Sequence, residues 1–287
     1  MARTPAESGE NSTTGHDWDG IEEYDRPLPR WWLWTFYATI VWAIGYWVLM
    51  PAWPLVSSYT TGLLGYSQRQ VLGDEMAAAR KAQAKYVVRI AEQPLDRIRT
   101  DSELLEFALA GGRSAFAVNC SQCHGQGAEG SKGYPNLNDD SWLWGGTLDA
   151  IYRTIRVGIR STHSDTRVSA MPAFLRDNML TKAQIGDTAE FVLSLGKRAT
   201  DQAAAARGKA VFAEQCVACH GPAGKGNPEL GAPDLTDAIW LYGGDRGTIV
   251  QTISYARHGV MPAWEGRLDA VTIKQLAIYV HSLGGGR

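Results

Sequence analysis

The longest apolar stretch of the chain covers residues 31–50, twenty consecutive residues without a charged side chain. A helix of this length matches the hydrocarbon core of a bilayer. Aromatic side chains crowd both ends, as in the aromatic belts at membrane surfaces. The pattern therefore predicts a transmembrane anchor over residues 31–54. The aromatic residues are Trp31, Trp32, Trp34, Tyr46, Trp47 and Trp53.

A cleaved signal peptide is the alternative for this segment. Its apolar region would be shorter, would lie closer to the N-terminus and would be followed by small residues at a cleavage site. Thirty mostly polar residues precede the segment, so we expect an uncleaved anchor. Arg26 and Arg30 precede it, and no Lys or Arg follows it until Arg69. This asymmetry predicts that the N-terminus is cytoplasmic.

The region after the anchor shows helical periodicity. Ile151, Ile155 and Ile159 recur at four-residue spacing, and Thr181 is a suitable N-cap for an apolar-periodic segment. Alternating strand patterns are not evident. The sequence therefore predicts a mainly α protein.

Two segments lie outside the periodic region. Residues 1–30 are polar and acidic without a core-forming pattern, so we expect them to be flexible or to lie against a partner. Residues 55–110 link the anchor to the rest of the chain, and residues 74–90 within them are rich in strong helix formers. This helix is either a free spacer or docked on a neighbour. A neighbour is favoured because a single anchor usually serves a complex.

An internal repeat organises the C-terminal part of the chain. Trp-Leu-Trp-Gly-Gly at residues 142–146 recurs in the second copy as Trp-Leu-Tyr-Gly-Gly. Residues 180–196 align without a gap with residues 268–284, and both segments end in Ser-Leu-Gly. The repeat predicts two tandem domains, residues 111–198 and residues 199–287.

The net charge and its distribution argue against some classes of function but do not indicate any particular one. The net charge is −2 at pH 7, and no basic cluster supports nucleic-acid binding. No phosphate-cradling glycine loop or catalytic triad is evident. The chemistry must therefore lie in other motifs.

All four cysteines lie in two Cys-x-x-Cys-His motifs, at residues 120–124 and 216–220. In this motif two thioether bonds attach a haem, and the adjacent histidine binds the iron. A zinc site would need four ligands, typically within one small module, and a disulfide or a thioredoxin-like pair does not need the histidine. We therefore predict two covalently bound haem c groups. The attachment residues are Cys120, Cys123, Cys216 and Cys219, and the axial histidines are His124 and His220.

A methionine follows each motif in the same local sequence, Met-Pro-Ala-aromatic. Met171 lies 47 residues after the first motif histidine, and Met261 lies 41 residues after the second. A thioether is the common second axial ligand of electron carriers and raises the reduction potential. We predict that both methionines bind iron. His163 and His258 are the rival ligands, although each is more simply read as a loop or haem-edge histidine.

The combination of these features resembles subunit III of the bacterial cbb3-type cytochrome c oxidase. The features are the anchor, the helical spacer, the paired motifs, Trp-Leu-Trp-Gly-Gly and the run Arg-His-Gly-Val-Met-Pro at residues 257–262. The resemblance covers residues 20–287. It implies that the two repeated domains have the cytochrome c fold.

The resemblance also implies a function and a location. In that family the subunit passes electrons from a donor cytochrome c toward a monohaem cytochrome subunit and the haem–copper subunit, where oxygen is reduced. The chain would belong to an enzyme while containing no catalytic residue of its own. It would lie in the bacterial inner membrane with both haem domains in the periplasm. Pro135 and Pro233 match the prolines whose carbonyls accept the ring N–H of the axial histidines in such cytochromes.

Two other functions remain open from the residues. A stand-alone anchored dihaem carrier would deliver electrons to a different redox enzyme. A dihaem peroxidase would need one iron with an open coordination position, and the matched methionines count against it.

Overall fold

The computed structural model describes residues 12–284 and is mainly helical, as the sequence predicts. The strands and helices are β1 (Thr13–Trp18), β2 (Ile21–Tyr24), α1 (Arg30–Leu49), α2 (Gln68–Glu92), α3 (Leu95–Thr100), α4 (Ser102–Asn119), α5 (Ser121–His124), α6 (Leu148–Val157), α7 (Lys182–Leu195), α8 (Gln202–Gln215), α9 (Val217–His220), α10 (Arg246–Tyr255) and α11 (Ala270–His281). The chain divides within α2 into two compact units, one ending at Ala82 and one beginning at Gln83.

The first unit contains a β-hairpin that the sequence analysis missed. Strands β1 and β2 pair antiparallel, with Trp18 opposite Ile21. Asp19 and Gly20 form the turn, with φ of 54° and 91°. Positive φ at both central residues is the geometry of the hairpin turn that Asp-Gly favours. From the sequence we expected a segment without a core-forming pattern here and did not predict the hairpin, for which the Asp-Gly dipeptide was the available signal.

Helix α1 coincides with the predicted anchor. Among the described residues it is the one helix long and apolar enough to cross a membrane, and none of its side chains is buried in the chain. Its last carbonyls lack partners within the helix, as at any helix C-terminus. The returning loop supplies them, because the Leu63 N–H donates to the Val48 carbonyl at 2.9 Å and the Leu64 N–H donates to the Leu49 carbonyl at 3.0 Å.

The end of α2 docks on the chain itself within the second unit. Ile90 is fully buried there. The Lys274 ammonium, on α11, donates to the carbonyls of Ile90, Ala91 and Gln93 at 2.8, 2.9 and 2.7 Å. A cation at this position also complements the negative end of the helix dipole. The C-terminal end of α2, the predicted spacer helix, therefore packs on the chain's own α11. It is neither a free spacer nor docked on another protein.

The second unit contains two hydrophobic cores. The first core contains buried residues of α2, α3, α4, α6 and α11. The second core contains buried residues of α7, α8 and α10 with Phe174. The largest buried side chains of the first core include Phe116, Ile155 and Leu276, and those of the second include Phe212, Ile185 and Ile253.

Each core combines segments of both sequence copies. Helix α4 opens the first copy, yet it packs along α11, which closes the second. Helix α8 opens the second copy and packs along α7, which closes the first. The boundary at residue 198 therefore separates the two sequence repeats. It does not separate the two hydrophobic cores, because each core contains helices from both repeats.

Matched glycines allow these helices to meet closely. A Cβ at Gly112 would lie 2.3 Å from the Gln275 carbonyl oxygen, and one at Gly208 would lie 2.0 Å from that of Asp187. Both distances are far inside van der Waals contact. A glycine is therefore required at each of the two helix crossings.

Candidate haem sites

The two Cys-x-x-Cys-His motifs form equivalent turns at the ends of α4 and α8. The Cys120 N–H donates to the Phe116 carbonyl at 2.8 Å, and the Cys216 N–H donates to the Phe212 carbonyl at 2.9 Å. The short helices α5 and α9 follow and end at glycines with φ of 83° and 72°. Each motif thus presents its cysteines and histidine from one tight turn beside a buried phenylalanine.

The histidines of the two motifs, which we predict to be axial ligands, are oriented by backbone carbonyls. Nδ1 of His124 lies 3.0 Å from the Pro135 oxygen, and Nδ1 of His220 lies 3.1 Å from the Pro233 oxygen. A carbonyl can only accept, so Nδ1 carries the proton and Nε2 keeps its lone pair. Burial lowers the pKa of both histidines, although the carbonyl hydrogen bond opposes this. Both rings are therefore neutral at pH 7, as an iron ligand must be.

The first cysteine of each motif, which is partly buried, does not have the lowered pKa of a reactive thiol. Burial raises the pKa of Cys120 and of Cys216 to about 11, and the nearby cysteine of the same motif adds to the effect. The structure pairs none of the four cysteines. Within residues 12–284 no three His, Cys, Asp or Glu side chains are grouped to hold a metal ion. The geometry therefore gives no support to the zinc or disulfide alternatives.

The structure places each methionine with the motif of the other copy. Met261 packs against the first core, which also contains Cys120. Met171 packs against the second core, which also contains Cys216. In sequence each methionine follows the motif of its own copy, whereas in the structure it packs in the core that contains the motif of the other copy.

Backbone hydrogen bonds fix the positions of the two methionine segments, the stretches of chain around Met171 and Met261. Met261 and Ile159 exchange N–H to carbonyl bonds of 2.9 and 3.0 Å, so Met261 lies beside the chain that leaves α6. The Phe174 N–H donates to the Ile253 carbonyl of α10 at 3.1 Å. Each methionine segment is therefore hydrogen-bonded to the other copy's chain.

Arg160 links the two methionine segments. Its Nε donates to the Gly259 carbonyl at 2.8 Å and its Nη1 donates to the Ser169 carbonyl at 2.7 Å. These carbonyls stand two residues before Met261 and Met171 respectively. One guanidinium therefore bridges both segments, a role that sequence analysis did not reveal.

The rival histidines are not placed as ligands. Nε2 of His163 lies 2.9 Å from a Glu265 carboxylate oxygen, and its Nδ1 accepts the Asp165 N–H at 3.0 Å. Both ring nitrogens are therefore engaged. His258 is exposed. The methionines remain the better candidates.

Two arginines stack on aromatic residues of the repeated Trp-Leu-aromatic-Gly-Gly segments. Arg167 lies 5.1 Å from the ring centre of Trp144, and Arg257 lies 4.8 Å from that of Tyr242. Each arginine stands four residues before a methionine, and this shared spacing was the signal for them in the sequence. The Trp240 indole N–H donates to the Asp237 carbonyl at 3.2 Å, so it serves local structure.

The donor set fits haem c. Each core contains the first cysteine of one motif and a methionine, and the histidine that ends the motif has a protonated Nδ1 and a free Nε2. An apolar anchor followed by two such helical cores defines a membrane-anchored protein with tandem cytochrome c-type domains.

Comparison with known proteins identifies the family. Residues 10–57 match the model for the N-terminal domain of cytochrome oxidase-cbb3, FixP. Residues 107–192 and 203–280 match the model for cytochrome c oxidase, cbb3-type, subunit III. The chain belongs to the cbb3-type cytochrome c oxidase subunit III family, which confirms the resemblance.

Curated relatives match over nearly the whole length. The chain is 55% identical to the cbb3-type cytochrome c oxidase subunit CcoP of Azospirillum brasilense, over 96% of both chains. It is 54% identical to subunit FixP of Azorhizobium caulinodans, over 98% of this chain and 95% of that one. It is 51% identical to subunit CcoP of Cereibacter sphaeroides, over 99% and 98%.

Proposed function

We propose that this chain is an electron-relay subunit of a cbb3-type oxidase and carries two covalent haem c groups. Cys120 and Cys123 would attach one haem, and Cys216 and Cys219 the other. The observation that carries the proposal is the pair of equivalent motif turns, each in a core with a methionine. When bound, the haem irons supply one-electron redox chemistry. The chain's own residues orient the axial ligands and shield them from water.

The axial ligands cross between the copies in this proposal. His124 pairs with Met261, and His220 pairs with Met171. The packing of each methionine in the core of the other copy's motif supports this pairing. The Pro135 and Pro233 carbonyls hold Nδ1 protonated, so Nε2 faces the metal in both sites.

The proposed role in electron relay rests on the two axial ligands that the chain would supply to each haem iron. A His–Met pair on both irons would leave no open position for oxygen, so oxygen reduction would belong to another subunit. The family membership supports partners of the kind that a cbb3 oxidase contains. Electrons would enter from a donor cytochrome c and leave toward the monohaem cytochrome subunit and the haem–copper subunit.

The anchor sets the location. The α1 helix crosses the bacterial inner membrane once, with Arg26 and Arg30 on the cytoplasmic side and both haem cores in the periplasm. External protease added to spheroplasts should digest the haem cores and spare the residues before α1. The reverse digestion pattern would overturn the topology.

The haem content is tested by a denaturing gel stained for haem peroxidase activity. The native chain should stain, and the double variant C120A/C123A should retain half of the haem per chain. A native chain that loses its haem on denaturation would refute covalent attachment. Haem quantification also checks the count of two.

The role in a complex is tested by mild detergent extraction. A haem–copper subunit should co-purify with this chain, and adding the chain to an oxidase that lacks it should restore electron entry from a donor cytochrome. Isolation without a haem–copper partner would favour the stand-alone carrier. Rapid peroxide turnover by the purified chain would favour the peroxidase.

A further inference from the structure

Unsatisfied buried polar atoms are concentrated in one short stretch of the second unit. Within residues 12–284 the buried side-chain nitrogen and oxygen atoms without a hydrogen-bond partner are Thr154 Oγ1, Arg156 Nε and Arg167 Nε. All three belong to α6 or the segment that follows it. The Arg156 Nε lies 3.7 Å from a Glu265 carboxylate oxygen, so its charge has a counterion. Thr154 and Arg167 have no such explanation.

Arg167 is a buried cation that forms no ion pair with the described residues. Only 9% of its surface is exposed, and its side chain forms no hydrogen bond or ion pair with the described residues. Its contact is the ring of Trp144, itself buried. Burial lowers the pKa of Arg167, and the like charge of Arg153 lowers it further, against a weaker opposing effect of Glu229. A buried guanidinium without a paired acceptor is costly.

The second copy shows how the same arginine is satisfied without a ligand. Arg257 stands four residues before its methionine, as Arg167 does. Its guanidinium donates to Thr252 Oγ1 at 2.6 Å, to the Thr248 carbonyl at 2.9 Å and to Gln251 Oε1 at 3.1 Å. Thr252 corresponds in the repeat to Thr154, whose hydroxyl is unpartnered. The first copy therefore lacks the hydrogen bonds that the second copy makes.

The position of Arg167 assigns it to the first core. Ile159 forms backbone bridges to both Arg167 and Met261, so it lies between them. Met261 packs in the first core, as does Trp142, two residues before the Trp144 ring that Arg167 covers. The backbone of Arg167 is thus separated by one chain segment from Met261 in the core that contains Cys120. The Trp144 ring that the guanidinium covers also lies against Gly231 of the second copy.

We propose that Arg167 binds a propionate carboxylate of the haem attached at Cys120 and Cys123. A guanidinium carries only donors in a planar fork, and a carboxylate is the acceptor that matches it. Haem would bring carboxylates to this core, whereas within residues 12–284 no carboxylate forms an ion pair with Arg167, and the charge of Glu229 acts on it only weakly. The inference rests on the proposed attachment of haem at this motif. It adds a binding residue that the motifs themselves do not specify.

The proposal has an electrostatic consequence. A fixed positive charge near the iron disfavours the oxidised, more positive state, and so raises the reduction potential. Arg167 therefore raises the potential of the first-core haem selectively. The equivalent charge of Arg257 is already hydrogen-bonded to residues of α10, so it needs no propionate partner.

The test is a redox titration of the full-length chain in membranes, comparing R167Q, R167K and the matched control R257Q. The C216A/C219A background, in which only the first motif can attach haem, identifies the titration step of the first core. R167Q should move that step to lower potential and leave the other step in place, and R167K should recover part of the shift. R257Q should lower thermal stability without a selective shift of that step. A first-core step unchanged in R167Q, or equal movement of both steps, would refute the proposal.

A second measurement covers the case in which R167Q does not fold. R167K keeps the charge but replaces a planar fork by a point charge, so the haem propionate bands in redox-difference infrared spectra should shift. Unchanged bands would count against the contact. Covalent haem staining of each variant separates the two proposals, because haem missing from the native first motif would refute the proposed function, whereas a stained chain with no shift refutes only the role of Arg167.

Discussion

The two cores that contain the Cys-x-x-Cys-His motifs have equivalent parts but are connected differently along the chain. The buried residues of the second core run from Phe174 to Ile253, one continuous stretch. Those of the first core come from residues 90–155 and residues 273–280, on either side of that stretch. The second core is therefore inserted into the first, and the first core cannot close until the chain has passed through the whole second core.

This difference shows how a duplicated sequence can become one unit. Bringing distant segments together costs only slightly more entropy for a long loop than for a short one. Exchanging segments between the copies therefore costs little additional chain entropy. It makes the position of each methionine depend on the folding of the other copy. Arg160, which bonds both methionine segments, is the contact that most directly couples the two cores.

The cores also differ at one pair of equivalent buried positions, one in α7 and the other in α11. In the second core Glu190, 2% exposed, accepts from the Thr200 and Asp201 N–H groups at 3.0 and 3.2 Å and from Arg246 at 2.8 Å. The corresponding residue of the first core is the buried Ile278. One core therefore depends on a buried charge, whereas the other uses an apolar contact.

The largest expected effect tests the crossed pairing of ligands. In the C216A/C219A background, which keeps only the first haem, M261H should lower the remaining potential, because imidazole replaces a thioether. The shift should be a substantial part of the roughly 0.8 V range over which axial ligands tune haem. M171H should leave it nearly unchanged. Redox titration decides the matter, and the opposite result would show that each methionine serves the motif preceding it.

The next effect concerns the helix crossings. G112A and G208A each place a methyl group against a backbone carbonyl, and overpacking of this kind costs about 1–3 kcal/mol. G112A should weaken the first core and G208A the second, as measured by thermal unfolding and by the spectrum of each haem. G186A is the control, since a Cβ there meets only the end of the Arg246 side chain, at 3.2 Å. Equal losses in all three variants would contradict the role of the crossings.

Acid should destabilise the second core through Glu190. Burial raises the pKa of Glu190, but the Asp201 and Thr200 N–H groups and Arg246 outweigh it, so the net pKa is lowered. A lowered folded pKa adds stability at neutral pH, and this is lost as the pH falls from the ordinary value near 4.3 through the folded value. E190Q should cost about 1–3 kcal/mol at pH 7 and reduce the acid sensitivity. Denaturant unfolding at pH 7 and at pH 4 measures both, and an unchanged pH dependence would contradict this account.

The smallest effect should arise at the link between the cores. R160K keeps the charge but loses the fork that reaches both carbonyls, at a cost of about 1 kcal/mol. Both haems should show a weakened Fe–S(Met) absorption band, because both methionine segments are released together. R198K, at an arginine that bonds the Gly244 carbonyl away from these segments, is the control. A change confined to one haem would show that Arg160 does not couple the cores.

Local sequence determined much of this protein. The charge-free residues 31–50 predict α1 because twenty apolar residues admit few other structures. The spacing within residues 120–124 and 216–220 specifies attachment chemistry, since these groups act within one turn of chain. Pro135 and Pro233 could be named by resemblance, and the structure contains both hydrogen bonds.

Tertiary structure decided how these parts combine. Because the repeats are alike, α4 has equivalent partners in α7 and α11, and local sequence cannot choose between them. The choice depends on long-range packing, which pairs α4 with α11 and carries Met261 into the core that holds Cys120. The same packing buries Arg167 without a partner and leaves Arg257 satisfied, although both stand at the same distance from a methionine. Residue types and spacing thus predict the candidate ligands, whereas the meeting of distant segments decides which of them lie in the same core.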